Sequence, residues 1–116
     1  MDIYHGWFNL KEGVSDLDFA QYFAAYMGHL EKSGRIAGWR LTRRKLGLAP
    51  SFLPEFHIMI ETTGMAQLDD AFAEVSSRAG AVEGFHQAVN SRVRDVFFAL
   101  YRDFPDATRQ SGEERF

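Results

Sequence analysis

The chain contains no cysteine. That absence excludes disulfides, thiolate nucleophiles, cysteine-ligated zinc and iron–sulfur clusters. Proline is scarce, at 3 residues, and two of these, Pro50 and Pro54, mark one segment as a loop. No apolar run approaches the roughly 18 residues that a membrane span needs. The N-terminal segment MDIYHGWFNL lacks the basic and apolar regions of a signal peptide. A cytoplasmic protein with no membrane partner is therefore the expectation. Neither sign of charge dominates: 13 Lys and Arg against 16 Asp and Glu leave a net charge of −3. No nucleic-acid partner is expected from that balance. Arg43, Arg44 and Lys45, with Arg40 nearby, form a basic run too short for a nucleic-acid stripe.

What the chain has in quantity is aromatic side chains: 11 Phe, 4 Tyr and 2 Trp among 116 residues. With 46% apolar and 25% charged residues the composition is that of an ordinary globular protein. A chain of this length buries roughly two-thirds of its unfolded surface, enough for one core. Residues 1–105 read as a single domain and 106–116 as a polar C-terminal tail.

Residues 3–10 alternate and are rich in aromatics, which predicts a strand closed by the turn Lys11-Glu12-Gly13. Ser15, with Asp18 three residues on, opens a helix. Its apolar stripe is Phe19, Phe23, Met27 and Leu30, widened by Leu17, Ala20, Ala24 and Tyr26, and Gly34 ends it. Residues 35–47 and 55–62 read as the two strands of a hairpin. Leu48, Phe52 and Leu53 in the connecting loop are apolar enough to cover something or contact a partner. Thr63 or its neighbour caps a second helix running to about Ala79, with Leu68, Ala71, Phe72 and Val75 inward. Residues 81–89 form a short third helix and 92–102 the last strand.

This order, β-α-β-β-α-β with a small insertion, is the ferredoxin-like pattern of the α+β class. It implies an antiparallel four-stranded sheet of order 4-1-3-2 with two helices on one face. The central pair, strands one and three, is expected to run parallel. Strand parity assigns Tyr4, Phe8, Phe56, Phe98 and their neighbours to the helix side, with Phe19, Phe23 and Phe72 facing them. The other face carries Trp7, Met59, Phe97 and Tyr101 among polar groups. Two helices cannot cover both faces, so a second copy packed sheet to sheet, a homodimer, is expected.

The segments YHGWFNL, IAGWRLTRRKLG, EFHIMIE and VNSRVRDVFFALYRDFPD together resemble a small bacterial family of uncharacterised proteins. That family is similar to the dimeric α/β-barrel superfamily, which includes antibiotic-biosynthesis-type monooxygenases, EthD-like and NIPSNAP-like proteins. The resemblance implies a dimeric barrel and carries over no catalytic residue, because fold does not fix function.

The candidate site is the second sheet face: His5, Trp7 and Asn9; Arg40 and Thr42; His57, Met59 and Glu61; Phe97 and Tyr101. Aromatic walls with a few polar groups are the usual make-up of a small-molecule site. His5 or His57 would serve as general base, tuned by burial or by Glu61. Arg40 would hold a carboxylate or enolate-like oxygen, and Tyr101 would donate a hydrogen bond. The competing reading is a satisfied polar network at the dimer interface. His5, His57 and Glu61 would make a metal shell only in one strand register, and no metal or cofactor is expected. Gly6 and Gly28 suggest close helix packing, and Gly38 leaves room for a ligand or marks a bulge. His86 and Asn90 line a cavity mouth or, more simply, an exposed helix face. His29 answers the C-terminal dipole of the first helix. Two functions follow: a cofactor-independent, monooxygenase-like enzyme acting on an aromatic or carboxylate-bearing molecule, or a non-catalytic binding or interaction module.

Overall fold

The computed structural model describes residues 1–77 and 80–105. The expected tail at 106–116 and the expected helix end at Ala79 lie outside these described residues. In chain order the elements are β1 (Asp2–Leu10), α1 (Asp16–Lys32), β2 (Gly38–Arg43), β3 (Phe56–Thr62), α2 (Met65–Ser76), α3 (Gly80–Asn90) and β4 (Val93–Arg102). The sheet order is β2-β3-β1-β4, which is 4-1-3-2 read from the other edge. This is the expected ferredoxin-like arrangement, and the molecule is only 18 Å through its thinnest dimension, as one helix layer on one sheet requires.

Every strand pair is antiparallel, including β1 with β3. The expectation of a parallel central pair is wrong for a topological reason. The helical crossover through α1 keeps β2 parallel to β1, and the β2–β3 hairpin then reverses β3. The helix layer holds the two main helices and the short third one expected at 81–89. The short third segment is a full helix of 11 residues, anchored by buried Val82.

Local chemistry explains the element ends. Ser15 accepts a hydrogen bond from the Asp18 amide and caps α1, and Gly34, at φ 75°, follows its C-terminus. Thr63 does not cap α2; Gly64 holds the cap position, and the Gln67 side chain accepts the Thr63 amide instead. β2 is shorter than 35–47, because Ile36 turns into the core and Leu46 and Gly47 take positive φ.

The core forms where α1 lies on β1 and β3: Phe8, Phe19, Phe23, Met27, Phe56 and Ile58 are buried. Phe72 and Phe98, expected there, are instead exposed, as are Val96 and Leu100. β4 is the edge strand, and the helices do not reach across it. Leu17 is also exposed, since it lies off the α1 stripe. At Gly6 a Cβ would come within 2.9 Å of Ile58 Cγ1 and 3.3 Å of Phe98 Cε1. The constraint is cross-strand neighbours, not a helix. Nothing lies near a Cβ at Gly28, so close approach does not explain that glycine.

The uneven core makes a test. Phe19→Ala, at a site with 0% exposure, should cost about 3–5 kcal/mol. Phe98→Ala, at a site 57% exposed, should cost about 1 kcal/mol. Urea midpoints at unchanged slope measure both, and comparable losses would contradict the packing described.

Candidate functional site

The two faces of the sheet hold two different arrangements. On the bare face, β-pairing sets Trp7 beside His57 and Phe97, and His5 beside Met59 and Ala99. His5 Nδ1 and His57 Nε2 approach to 2.8 Å. The ring centroids are 5.1 Å apart with planes 8° from parallel. Those values together describe rings meeting edge to edge in one plane through an N–H···N hydrogen bond, not a face-to-face stack. The Trp7 indole lies parallel to this pair, 4.6 Å from His57 and 5.7 Å from His5, and Tyr101 meets His5 edge-on at 5.0 Å. Burial lowers the pKa of both imidazoles, and the His5 charge lowers that of His57 further.

The other expected members of this site have different occupations. Glu61 lies two same-face positions beyond His57 on β3, too far along the strand to touch it, so it neither tunes the pair nor completes a metal shell. Its carboxylate instead lies over Gly38, where Oε2 would be 3.3 Å from a Cβ. Among the described residues no group of three or more metal-binding side chains converges. The Thr42 hydroxyl donates to the His57 carbonyl. Asn9 accepts the Glu55 amide and donates to Asp95, whose φ of 57° sits at the bulge between β1 and β4. Arg40 and Met59 face each other across β2 and β3, and Arg40 is exposed. The structure thus brings together His5, His57, Trp7, Phe97 and Tyr101, and leaves Arg40, Thr42, Asn9 and Glu61 outside that cluster.

On the opposite face a cavity of about 350 Å³ opens between sheet and helices. Its floor is Tyr4, Ile58, Ile60 and Phe98; its roof comes from α1, α2 and α3. Tyr4 stacks on Phe98 and takes the edge of Phe72 from α2, each at 5.2 Å. Polar groups are few. His86 and Asn90 of α3 line the cavity, with the His86 ring 6.0 Å from Tyr26. Burial, with Glu83 and Glu74 nearby, pushes the Tyr26 hydroxyl up to about 12. It therefore stays protonated at neutral pH and can donate a hydrogen bond. Native cores hold few voids larger than a water molecule, so an apolar opening of this size is a candidate binding feature. Parity alone missed this site, because it lies beside the core and shares its residue types. The signal available in the sequence was His86 and Asn90, four residues apart on one face of the insertion, for which a cavity mouth was one of the two places expected and which do line this one.

His29 answers a side chain as well as a helix end: it lies 3.5 Å from Glu74 on α2 and 5.1 Å from the Phe85 ring. Glu74 also pairs with Arg35, tying α2 to the segment after α1. These contacts hold the roof of the cavity in place.

The comparisons with known proteins agree with this fold. A single-residue variant of SnoaB from Streptomyces nogalater, described as a cofactor-independent oxygenase, matches with TM-score 0.69 and 10% identity, covering 93% of this chain and 97% of that one. At3g17210 from Arabidopsis thaliana matches with TM-score 0.67 and 12% identity, covering 89% and 95%. A dimeric ferredoxin-like protein of unknown function from Jannaschia matches with TM-score 0.62 and 13% identity, covering 89% and 100%. At such identities the likeness shows the fold alone. No curated protein matches the sequence. One family model spans residues 1–116, that of a family of unknown function (DUF6614).

The imidazole pair has a measurable consequence. Each histidine takes up a proton less readily in the folded chain than at the ordinary value of 6.5. The unfolded state then binds more protons below that pH. The pair's contribution to stability is complete above pH 6.5 and is lost as pH falls toward the depressed folded values. Wild type should lose stability across this range, and His57→Gln should lose less. Identical pH dependence of their urea midpoints would refute the coupling.

Proposed function

The chain belongs to the family of unknown function DUF6614, and we propose that this member is a homodimeric protein that binds a small, flat, mostly apolar molecule. The binding site in this reading is the cavity of about 350 Å³ between helices and sheet. That cavity carries the reading: its volume falls within the few hundred Å³ typical of small-molecule sites, its walls are aromatic and aliphatic, and its polar groups are confined to one side. His86 and Asn90 would orient a single oxygen of the ligand, and the Tyr26 hydroxyl would serve only as a donor.

The homodimer follows from the other face. Phe97 and Tyr101 are exposed there beside Trp7, on a sheet face that no other element among the described residues covers. A second copy packed on this face would cover them and enclose the His5–His57 pair. In that position the pair serves as a polar element of the interface, with one nitrogen of each ring satisfied within the pair and the other available to the partner copy. A barrel site using His5 or His57 as base remains the competing assignment, with Arg40 and Tyr101 at its rim.

Two experiments test this. A hydroxylated naphthalene should bind with a stoichiometry of one per chain, read by fluorescence quenching. Ala71→Phe, which fills the cavity from α2, should abolish that binding while His57→Gln retains it. Loss in His57→Gln with retention in Ala71→Phe would move the site to the barrel. Phe97→Lys with Tyr101→Lys should convert the dimer to a monomer in sedimentation velocity, and an unchanged dimer would refute the interface.

The likeness to SnoaB, described as a cofactor-independent oxygenase, favours a second reading in which the bound molecule reacts with dioxygen. Oxygen uptake on adding the naphthalene supports it. Stoichiometric binding without uptake leaves a binding protein.

A further inference from the structure

The loop joining β2 to β3 is not accounted for by either face of the sheet. Residues 44–54, RKLGLAPSFLP, contain three large apolar side chains turned to solvent: Leu46 is 83% exposed, Leu48 80% and Phe52 71%. Isolated exposed leucines need no explanation, but three within seven residues form a continuous apolar tip.

The tip is held in shape. The Leu48 amide donates to the Lys45 carbonyl and the Leu53 amide to the Pro50 carbonyl, each at 3.0 Å. The Arg44 amide donates to the Glu55 carbonyl, and the Arg44 guanidinium bonds the Leu53 carbonyl. Leu46 adopts φ 57°, a left-handed conformation that a leucine seldom takes and that Asn or Gly would accept at less cost. A strained backbone that presents an exposed leucine is a reason to look for function.

Charge around the tip has one sign. Arg44 and Lys45 are exposed at its base, and the segment 44–54 contains no carboxylate. The nearest acidic side chains, Asp16 and Glu55, are both paired with Arg43. The whole chain is acidic, at −3, yet the charges inside this loop are the two cations Arg44 and Lys45.

We infer that this loop is a peripheral docking element for an anionic lipid surface. Leu46, Leu48 and Phe52 enter the headgroup boundary, while Arg44 and Lys45 lie against the lipid phosphates. Such a contact needs no membrane span, and no helix among the described residues is long and apolar enough to form one. A lipid surface presents a dense field of phosphates to Arg44 and Lys45, whereas the −3 of a second copy is what remains of 16 acidic and 13 basic residues of mixed sign, and the proposed dimer already seats that copy on the sheet face.

The test is co-sedimentation of the full chain with vesicles of phosphatidylcholine alone and with added phosphatidylglycerol. Binding should appear with the anionic vesicles and weaken with salt. Lys45→Gln should reduce partition about five-fold, the effect of one cation near such a surface. Leu48→Asp with Phe52→Ser should reduce it to background without lowering Tm. Leu46→Asn should reduce partition while keeping or raising Tm, since Asn tolerates the left-handed backbone. No binding to either vesicle overturns the inference. So does a Leu48→Asp, Phe52→Ser variant that loses the dimer but keeps its vesicle partition, because the loop is then a contact between copies.

Discussion

A β-sheet has two faces, and this chain builds only one layer of helices to cover them. Everything else in the structure follows from that imbalance. α1 lies over β1 and β3 and buries Phe8, Phe19, Phe23 and Phe56 into a core that is complete at the centre of the sheet. Toward the β4 edge the helices run out, and Phe98, Leu100 and Val96 stay exposed on the very side that the helices occupy. On the far side no helix lies among the described residues. An edge strand with apolar side chains on both faces is a liability for an isolated chain, and natural proteins cover such edges.

The two faces solve different chemical problems with similar residues. Trp7, Phe97 and Tyr101 lie around an imidazole pair whose two rings satisfy one nitrogen each through their shared hydrogen bond, which halves the polar atoms that enclosing this face would have to pair. Each neutral ring keeps a further nitrogen, and whichever ring donates in the shared bond, the pair offers one outer donor and one outer acceptor. On the helix side the polar groups point the other way energetically. His86 and Asn90 stand at an apolar opening with no side-chain partner assigned to them by the hydrogen-bonding pattern of α3, whose only intrahelical side-chain bond joins Gln87 to Glu83. The two faces thus differ in how far their polar groups are already paired: each imidazole on the bare face has one bond within the pair, and among the described residues His86 and Asn90 have no side-chain hydrogen bond.

Much of this was legible in the sequence because it depends on period. Alternation placed Trp7, His57 and Tyr101 on one face and Phe8, Phe56 and Ile58 on the other, and the observed registers agree. Ser15 and Gly34 marked the ends of α1 because capping is local chemistry. Direction was less accessible: the antiparallel central pair follows from tracing the hairpin, not from any residue. Reach was not legible either. Nothing in Phe72 or Phe98 says that the helix layer stops short of β4, because that depends on where α2 and α3 pack. Glu61 shares the parity of His57 yet lies too far along β3 to meet it, since parity fixes a face and not a distance. The cavity was hidden for a related reason, its walls being made of residues that any core would use.

The third helix connects these observations. A minimal ferredoxin-like unit with two helices would leave the strip over β4 as an open groove. Here α3 is inserted before β4 and anchored through Val82, with the Phe85 ring against His29 of α1. From that position His86, Val89 and Asn90 face the space between helices and sheet, and the groove becomes a walled pocket. The insertion therefore supplies both a wall and the polar groups, while the sheet floor and α1 supply the apolar surface common to the fold. Roof position depends in turn on α2, held by Glu74 to Arg35 and His29 and by Gln67 to the Gly34 carbonyl. These tethers are polar and partly exposed, so they are individually weak, and α2 buries only Leu68 and Ala71. Enclosure is nonetheless incomplete: Phe72, Val96 and Phe98 line the pocket and stay exposed, so it opens along the β4 edge, where the helix layer ends, and no helix has to move for that side to be reached.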